Sequence, residues 1–304
     1  MKRVVITGAG TINPLGQSVE ATMKGMQEGR CGIADLDFKD VDRLSIKIGG
    51  QINDFKPETV FNRQQLSLYD RFTQFTLISA KEALTQAGIV FAGELSTKAG
   101  VVLGTAGGGV STWDNNYRAV YEDGKNRVHP FVVPKLMNNA AASHISMEYN
   151  LKGPSFTVST ACASSNHAMA QAFEIVRSAM SPAMVTGGSE SMLCFGGVKA
   201  WEGLRVMSRD ACRPFSANRN GMVQGEGAAV FVFEGVLPSA GGSDAVEVID
   251  CASLCSEGCI RPEACPSAAA REQAMTFLDR LSLDDMVGLA NSSLEERTRR
   301  RAGF

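Results

Sequence analysis

This sequence predicts an α/β fold with a largely parallel sheet, and three observations carry the prediction. Short apolar runs recur, each bounded by glycine or a turn: residues 4–6, 101–103, 156–159, 183–186 and 228–233. Their apolarity is continuous rather than alternating, the pattern of strands covered on both faces. Helical rhythms lie between them, and alternation of strand and helix favours a parallel sheet joined by crossover helices.

The elements follow in order. Residues 1–7 read as a buried strand ended by Gly8-Ala9-Gly10. Asp70 is placed to cap a helix carrying Phe72, Phe75, Leu77, Ile78, Leu84 and Ala87, with Gly88 placed to end it. Val101-Val102-Leu103 before Gly104 is a second strand. Residues 163–180 carry Ala168, Met169, Ala172, Phe173, Ile175, Val176 and Ala179, apolar on most faces, so a buried helix is expected. The character changes after Glu234. Residues 235–304 are rich in Ser, Ala, Cys and Arg, only 270–281 keep a helical rhythm, and 295–301 are a charge run read as solvated or disordered.

A chain of 304 residues with 44% hydrophobic content can bury a substantial core, as one large domain or two ordinary ones. A net charge of −2 with 20% charged residues argues against a nucleic-acid partner, which calls for a basic stripe. Val4-Val5-Ile6 is too short for a signal-peptide core, and no apolar run is long enough to span a bilayer. A cytoplasmic protein is expected, and its eight cysteines are expected to be free thiols.

Cys162 lies between a strand and a long helix. A thiol at a helix N-terminus meets unpaired N–H groups and the positive end of the helix dipole, which favour the reactive thiolate. Small neighbours leave room for a substrate. A buried cysteine acting as a small hydrophobe is the commoner case, and position alone leaves the two readings even.

The wider motif separates them. Gly153-Pro154-Ser155 followed by Val158-Ser159-Thr160-Ala161-Cys162-Ala163-Ser164-Ser165 resembles the active-site segment of the elongating β-ketoacyl-acyl carrier protein synthases. Further blocks agree in order: Arg3–Gly10 with Pro14-Leu15-Gly16, Gly187-Gly188-Ser189-Glu190, Arg213–Arg219, and Gly225-Glu226-Gly227-Ala228-Ala229. The resemblance runs from residue 1 to about Glu234. It implies a thiolase-like fold of two similar α/β halves, usually a homodimer, with the N-terminal half at 1–234 intact and the C-terminal half truncated. It implies Cys162 as the covalent nucleophile, with its own N–H forming part of an oxyanion hole. Acyl and malonyl thioesters would arrive on the phosphopantetheine of an acyl carrier protein, with no further cofactor and no metal. The reaction would be acyl transfer to the cysteine, then decarboxylative condensation.

Within that resemblance, Gly107 stands where several relatives carry a bulky aliphatic gate, and Trp201 falls at or near another gating position. Gly107 would open the acyl tunnel; a plain turn glycine is an equal reading. The stretch matching the carrier-docking patch, Asn62–Leu68, keeps only Arg63 as a basic residue.

The family's two histidines and lysine come from its C-terminal half, and they are missing. His129, His144 and His167 all precede residue 170, and no lysine follows Lys199. His167, five residues past Cys162, should point away from the thiol. Residues 235–304 therefore read as a frameshifted or degraded half, and its loss should strip cover from the sheet and expose an apolar face. The alternative to an impaired synthase is a non-catalytic remnant or acyl-binding subunit. Three weaker patterns are set aside. Gly8-Ala9-Gly10 has Asn13 where a dinucleotide turn needs glycine, Gly107-Gly108-Gly109 lacks the lysine of a P-loop, and Cys251, Cys255, Cys259 and Cys265 lack the tight pairs of a zinc site.

Overall fold

The computed structural model describes residues 1–236, so the cysteine cluster, the 270–281 rhythm and the terminal charge run lie outside the described residues. In chain order the elements are β1 (Arg3–Ile12), α1 (Val19–Gln27), β2 (Ala34–Asp35), β3 (Ile48–Gly49), α2 (Arg63–Leu68), α3 (Arg71–Ala87), α4 (Gly93–Lys98), β4 (Gly100–Gly104), α5 (Val110–Tyr121), α6 (Val132–Leu136), α7 (Ala140–Glu148), β5 (Ser155–Val158), α8 (Ser164–Arg177), β6 (Ala183–Glu190), α9 (Phe195–Gly203) and β7 (Gly227–Val236). Five strands form one sheet in the order β1-β7-β6-β4-β5, and β2 pairs with β3 apart from it. β7 runs antiparallel to both neighbours, while β4 is parallel to β5 and β6, so four strands share one direction.

Continuous apolar runs appear because both sheet faces are packed. Val101 and Val185 face the core shared with Phe72, Phe75, Ala83 and Ile145, while their neighbours Val102 and Met184 face Ala168, Ala172 and Val176 of α8. Asp70 caps α3 through the Phe72 N–H at 3.3 Å, and Gly88 ends it at a left-handed φ of 62°.

Two expectations are corrected. β1 does not stop at Gly8; it runs on to Ile12, with a register shift between Ile6 and Gly8. Gly8 and Gly10 are contact points, not terminators. A Cβ on them would sit 1.9 Å from the Ala83 carbonyl oxygen and 2.0 Å from that of Ser79, so they let α3 lie directly on the strand. Nor is α8 buried all round. Ser164, Ala168, Ala172 and Val176, spaced by four, form its buried edge, whereas Phe173 is 38% exposed. Phe156 on β5 and Ile6 on β1 are exposed too. The apolarity of these segments exceeds what the described residues cover.

Thr186 on β6 is fully buried, and its hydroxyl has no partner among the described residues. T186V keeps the shape and removes an unpaired polar group. It is expected to raise stability by about 1 kcal/mol in urea unfolding.

Candidate active site

β4, β5 and β6 end where β7 begins, because β7 alone runs the other way. Parallel sheets bind ligands beyond their carboxyl ends. Here a cavity of about 540 Å³ opens at that end, walled by Cys162, Thr105, Glu190, Met192 and Trp201, with Met222–Gly225 leading into β7.

Cys162 is exposed at the crest of a sharp turn between β5 and α8. It precedes Ala163, the residue that opens the helix, so it sits just outside the first turn. The turn is built by Ala161, whose φ of 52° is left-handed and costs a non-glycine residue about 1–2 kcal/mol. Ser164 holds it: its Oγ accepts from the Thr160 N–H at 2.8 Å and donates to the Ala161 carbonyl at 2.6 Å. Among the described residues no hydrogen bond takes up the Cys162 N–H, which leaves a donor available beside the thiol. The helix can stand this close to the sheet because of Gly104 and Gly188. A Cβ on Gly104 would fall 2.3 Å from the Ser164 carbonyl carbon, and one on Gly188 would fall 1.9 Å from Ser165 Oγ.

The floor of the adjacent wall is a clamp. Glu190, last residue of β6, accepts from the Ala106 N–H at 2.7 Å, the Gly107 N–H at 3.3 Å and the Thr105 hydroxyl at 3.2 Å. Burial pushes its carboxyl above the ordinary glutamate range, and these donors pull it only partly back. A carboxyl raised in the folded state binds its proton there more tightly than in the unfolded chain. Its contribution to stability is therefore lost as pH rises from the unfolded value through the folded one. E190Q is expected to flatten the fall in stability as pH rises above the ordinary glutamate range, read as the slope of unfolding free energy against pH.

Of the residues singled out from sequence, Cys162 and Trp201 share the cavity, with Trp201 also packed against the small core cluster that includes Leu193, Val198 and Met207. Gly107 stands one residue beyond the wall-forming Ala106. A Cβ there would meet Val110 Cγ2 at 2.9 Å and Met192 Sδ at 3.1 Å, so those side chains occupy the space around it. No histidine of the described residues lines the cavity. His167 is exposed on α8. His144 stacks edge-on to Tyr69 at 4.5 Å, and burial depresses its pKa. His129 accepts from the Phe131 N–H and lines a separate cavity of about 300 Å³ with Lys135. Another hollow, about 890 Å³ between α1 and α3, is lined by no cysteine or histidine of the described residues. Arg63 opens α2, which Asn62 and Gln65 cap reciprocally. Among the described residues no cluster could hold a metal ion, and no helix is long and apolar enough to cross a membrane.

Sequence reading assigned no role to Glu190, Ser164, Met192 or the 222–225 segment. Glu190 had a signal, a lone acid closing an otherwise small and apolar strand.

Comparisons with known proteins bear on this arrangement. Residues 1–236 match the family model described as "Beta-ketoacyl synthase, N-terminal domain". Nodulation protein E of Rhizobium sp. (strain N33) is 38% identical over 233 residues, which is 77% of this chain and 58% of that protein. The 3-oxoacyl-(acyl-carrier-protein) synthase 2 of Staphylococcus aureus (strain COL) is 32% identical over 238 residues, again 77% of this chain and 58% of the relative. A crystal structure of a β-ketoacyl synthase from Burkholderia phymatum STM815 superposes with a TM-score of 0.68 at 27% identity, covering 78% of this chain and 60% of that one. The chain thus spans less than two thirds of the length of the relatives it matches.

Proposed function

We propose, on the premise that the chain belongs to the β-ketoacyl synthase family, that Cys162 takes an acyl group from a carrier-bound thioester in a fatty-acid or polyketide-type synthesis. The observation that carries this reading is the exposed thiol on a strained turn, at the mouth of an apolar-walled cavity, beside its own N–H, which has no partner among the described residues. The Cys162 thiol first gives its proton to solvent; the thiolate sulfur then attacks the thioester carbonyl, the acyl carbon–sulfur bond to the carrier breaks, and the carrier leaves as a thiolate that takes a proton from solvent. The N–H beside Cys162 would donate to the oxyanion formed on the way.

The carrier named in the staphylococcal relative's description, an acyl carrier protein, is the partner we assign, with phosphopantetheine as its arm. The protein would act as a cytoplasmic homodimer, with no metal and no further cofactor. Condensation is the reading's second step: malonyl thioester loses CO2, and its carbanion displaces Cys162 from the acyl carbon. No histidine or lysine of the described residues lines the cavity to assist that step, so the transfer half-reaction is the part these residues support.

Incubation with a medium-chain acyl carrier protein, followed by mass spectrometry, tests the reading. An acyl increment on the Cys162 peptide is expected. Its absence in folded protein sinks the enzymatic reading and leaves a binding subunit.

A further inference from the structure

Two walls of the Cys162 cavity come from segments far apart in the chain, residues 189–192 and 222–227. Neither is a regular element along its whole length, yet both are held at one point. Glu226, whose side chain is fully buried, takes a bidentate grip from Arg71 at 2.8 and 2.6 Å. The same carboxylate accepts from Ser191 Oγ at 2.8 Å and from the Ile52 N–H at 2.9 Å. Arg71 closes the circuit by donating to the Ile52 carbonyl at 2.9 Å, while its guanidinium lies over the rings of Phe75 and Phe55.

Each partner belongs to a different part of the cavity's frame. Ser191 sits between the wall residues Glu190 and Met192, and Glu226 sits between Gly225 and Gly227. Main-chain bonds from the Gly50 N–H to the Gln224 carbonyl at 2.8 Å, and from the Glu226 N–H to the Gly50 carbonyl at 3.0 Å, fasten the second wall to the residues beside Ile52. Arg71 opens α3, and the preceding residue, Asp70, accepts from both the N–H and the hydroxyl of Thr112 in the first turn of α5, just past the 105–107 loop. The head of α3 is thus joined to three sides of the cavity.

We infer that Arg71 and Glu226 are positioning residues that set the depth of the cavity over Cys162, and so decide how well a long chain seats against the thiol. A paired charge with every carboxylate lone pair engaged fixes wall spacing more sharply than apolar packing does, because its bidentate geometry admits one arrangement. Neither residue touches the thiol. Their effect should fall on long ligands and spare small ones.

This inference rests on reading the cavity as an acyl site, and the test separates the two. The full chain is alkylated with iodoacetamide and with N-dodecyl iodoacetamide, and both rates are read at the Cys162 peptide by mass spectrometry. In E226Q and R71K the dodecyl-to-small rate ratio should fall at least tenfold, with the iodoacetamide rate itself moving less than threefold. S191A, which removes one contact and no charge, should lower the ratio about threefold and guards against loss of folding in the charge variants. A ratio within twofold of the parent in folded variants, with only the unfolding temperature lowered, would mean the pair is structural and would overturn the inference. If acyl carrier protein leaves no adduct on the parent chain but the alkylation ratio shifts, the transfer reading fails while the wall-setting role stands.

Discussion

Alanine at Gly104 is expected to cost about 3–5 kcal/mol of folding stability, a large part of the roughly 5–15 kcal/mol that holds a typical domain together. Its Cβ would lie 2.3 Å from the Ser164 carbonyl carbon and 2.4 Å from both the Ser164 oxygen and the Ser165 nitrogen. All three are main-chain atoms in the first turn of α8, so no rotamer change relieves the clash. Either α8 lifts from β4, opening the layer of Ala168, Ala172 and Val176 over Val102 and Met184, or the strand gives way. Both routes also dislodge the turn that presents Cys162. G188A is the milder companion: its nearest obstacle, the Ser165 hydroxyl at 1.9 Å, can rotate away, although the Gly104 carbonyl oxygen at 2.7 Å and Ser165 Cβ at 2.8 Å must still give. G203A is the control: nothing lies within 4 Å of a Cβ there, the residue ends α9, and alanine is the better helix former. Urea unfolding of the three variants checks the order. G104A within 1 kcal/mol of the parent would refute the close approach of α8 to the sheet.

How much of this was legible in the sequence depended on whether a signal was local. The α3 helix was, because its cap Asp70, its terminator Gly88 and its apolar spacing all act within one segment. Cys162 was, because its setting between strand and helix spans a dozen residues. Gly8 and Gly10 misled, because glycine is a turn signal when read locally, whereas here its missing side chain serves a helix some seventy residues away, at Ser79 and Ala83. The buried stripe of α8 was overestimated, because apolar residues such as Phe173 are not all covered within residues 1–236. The far walls of the cavity were illegible for a topological reason. β7 enters between β1 and β6 in the reverse direction, and only that placement brings Met222–Gly225 beside Cys162. No spacing along the chain encodes it.

Cys162→Ala is expected to abolish the acyl adduct altogether, and Cys162→Ser to come close to doing so. The serine case is the more telling. A hydroxyl needs a base to become a nucleophile, whereas a thiol ionises far more readily. Within the described cavity the other titratable side chain is Glu190, and its carboxyl is already engaged by the Ala106 and Gly107 N–H groups and the Thr105 hydroxyl. It has no free lone pair aimed at residue 162 by any hydrogen bond, so serine would stay protonated and inert. Ser164→Ala separates presence of the thiol from its presentation. That variant keeps Cys162 but removes the acceptor of the Thr160 N–H and the donor to the Ala161 carbonyl, the two bonds that hold Ala161 at its left-handed φ. Release of that turn lets the thiol swing off the cavity mouth, and a loss of about 1.4 kcal/mol in presentation corresponds to a tenfold slower adduct formation. Mass spectrometry over time on the three variants should show none, almost none and a tenfold delay. An adduct at full rate in Ser164→Ala would mean that the strained turn does not aim the Cys162 thiol.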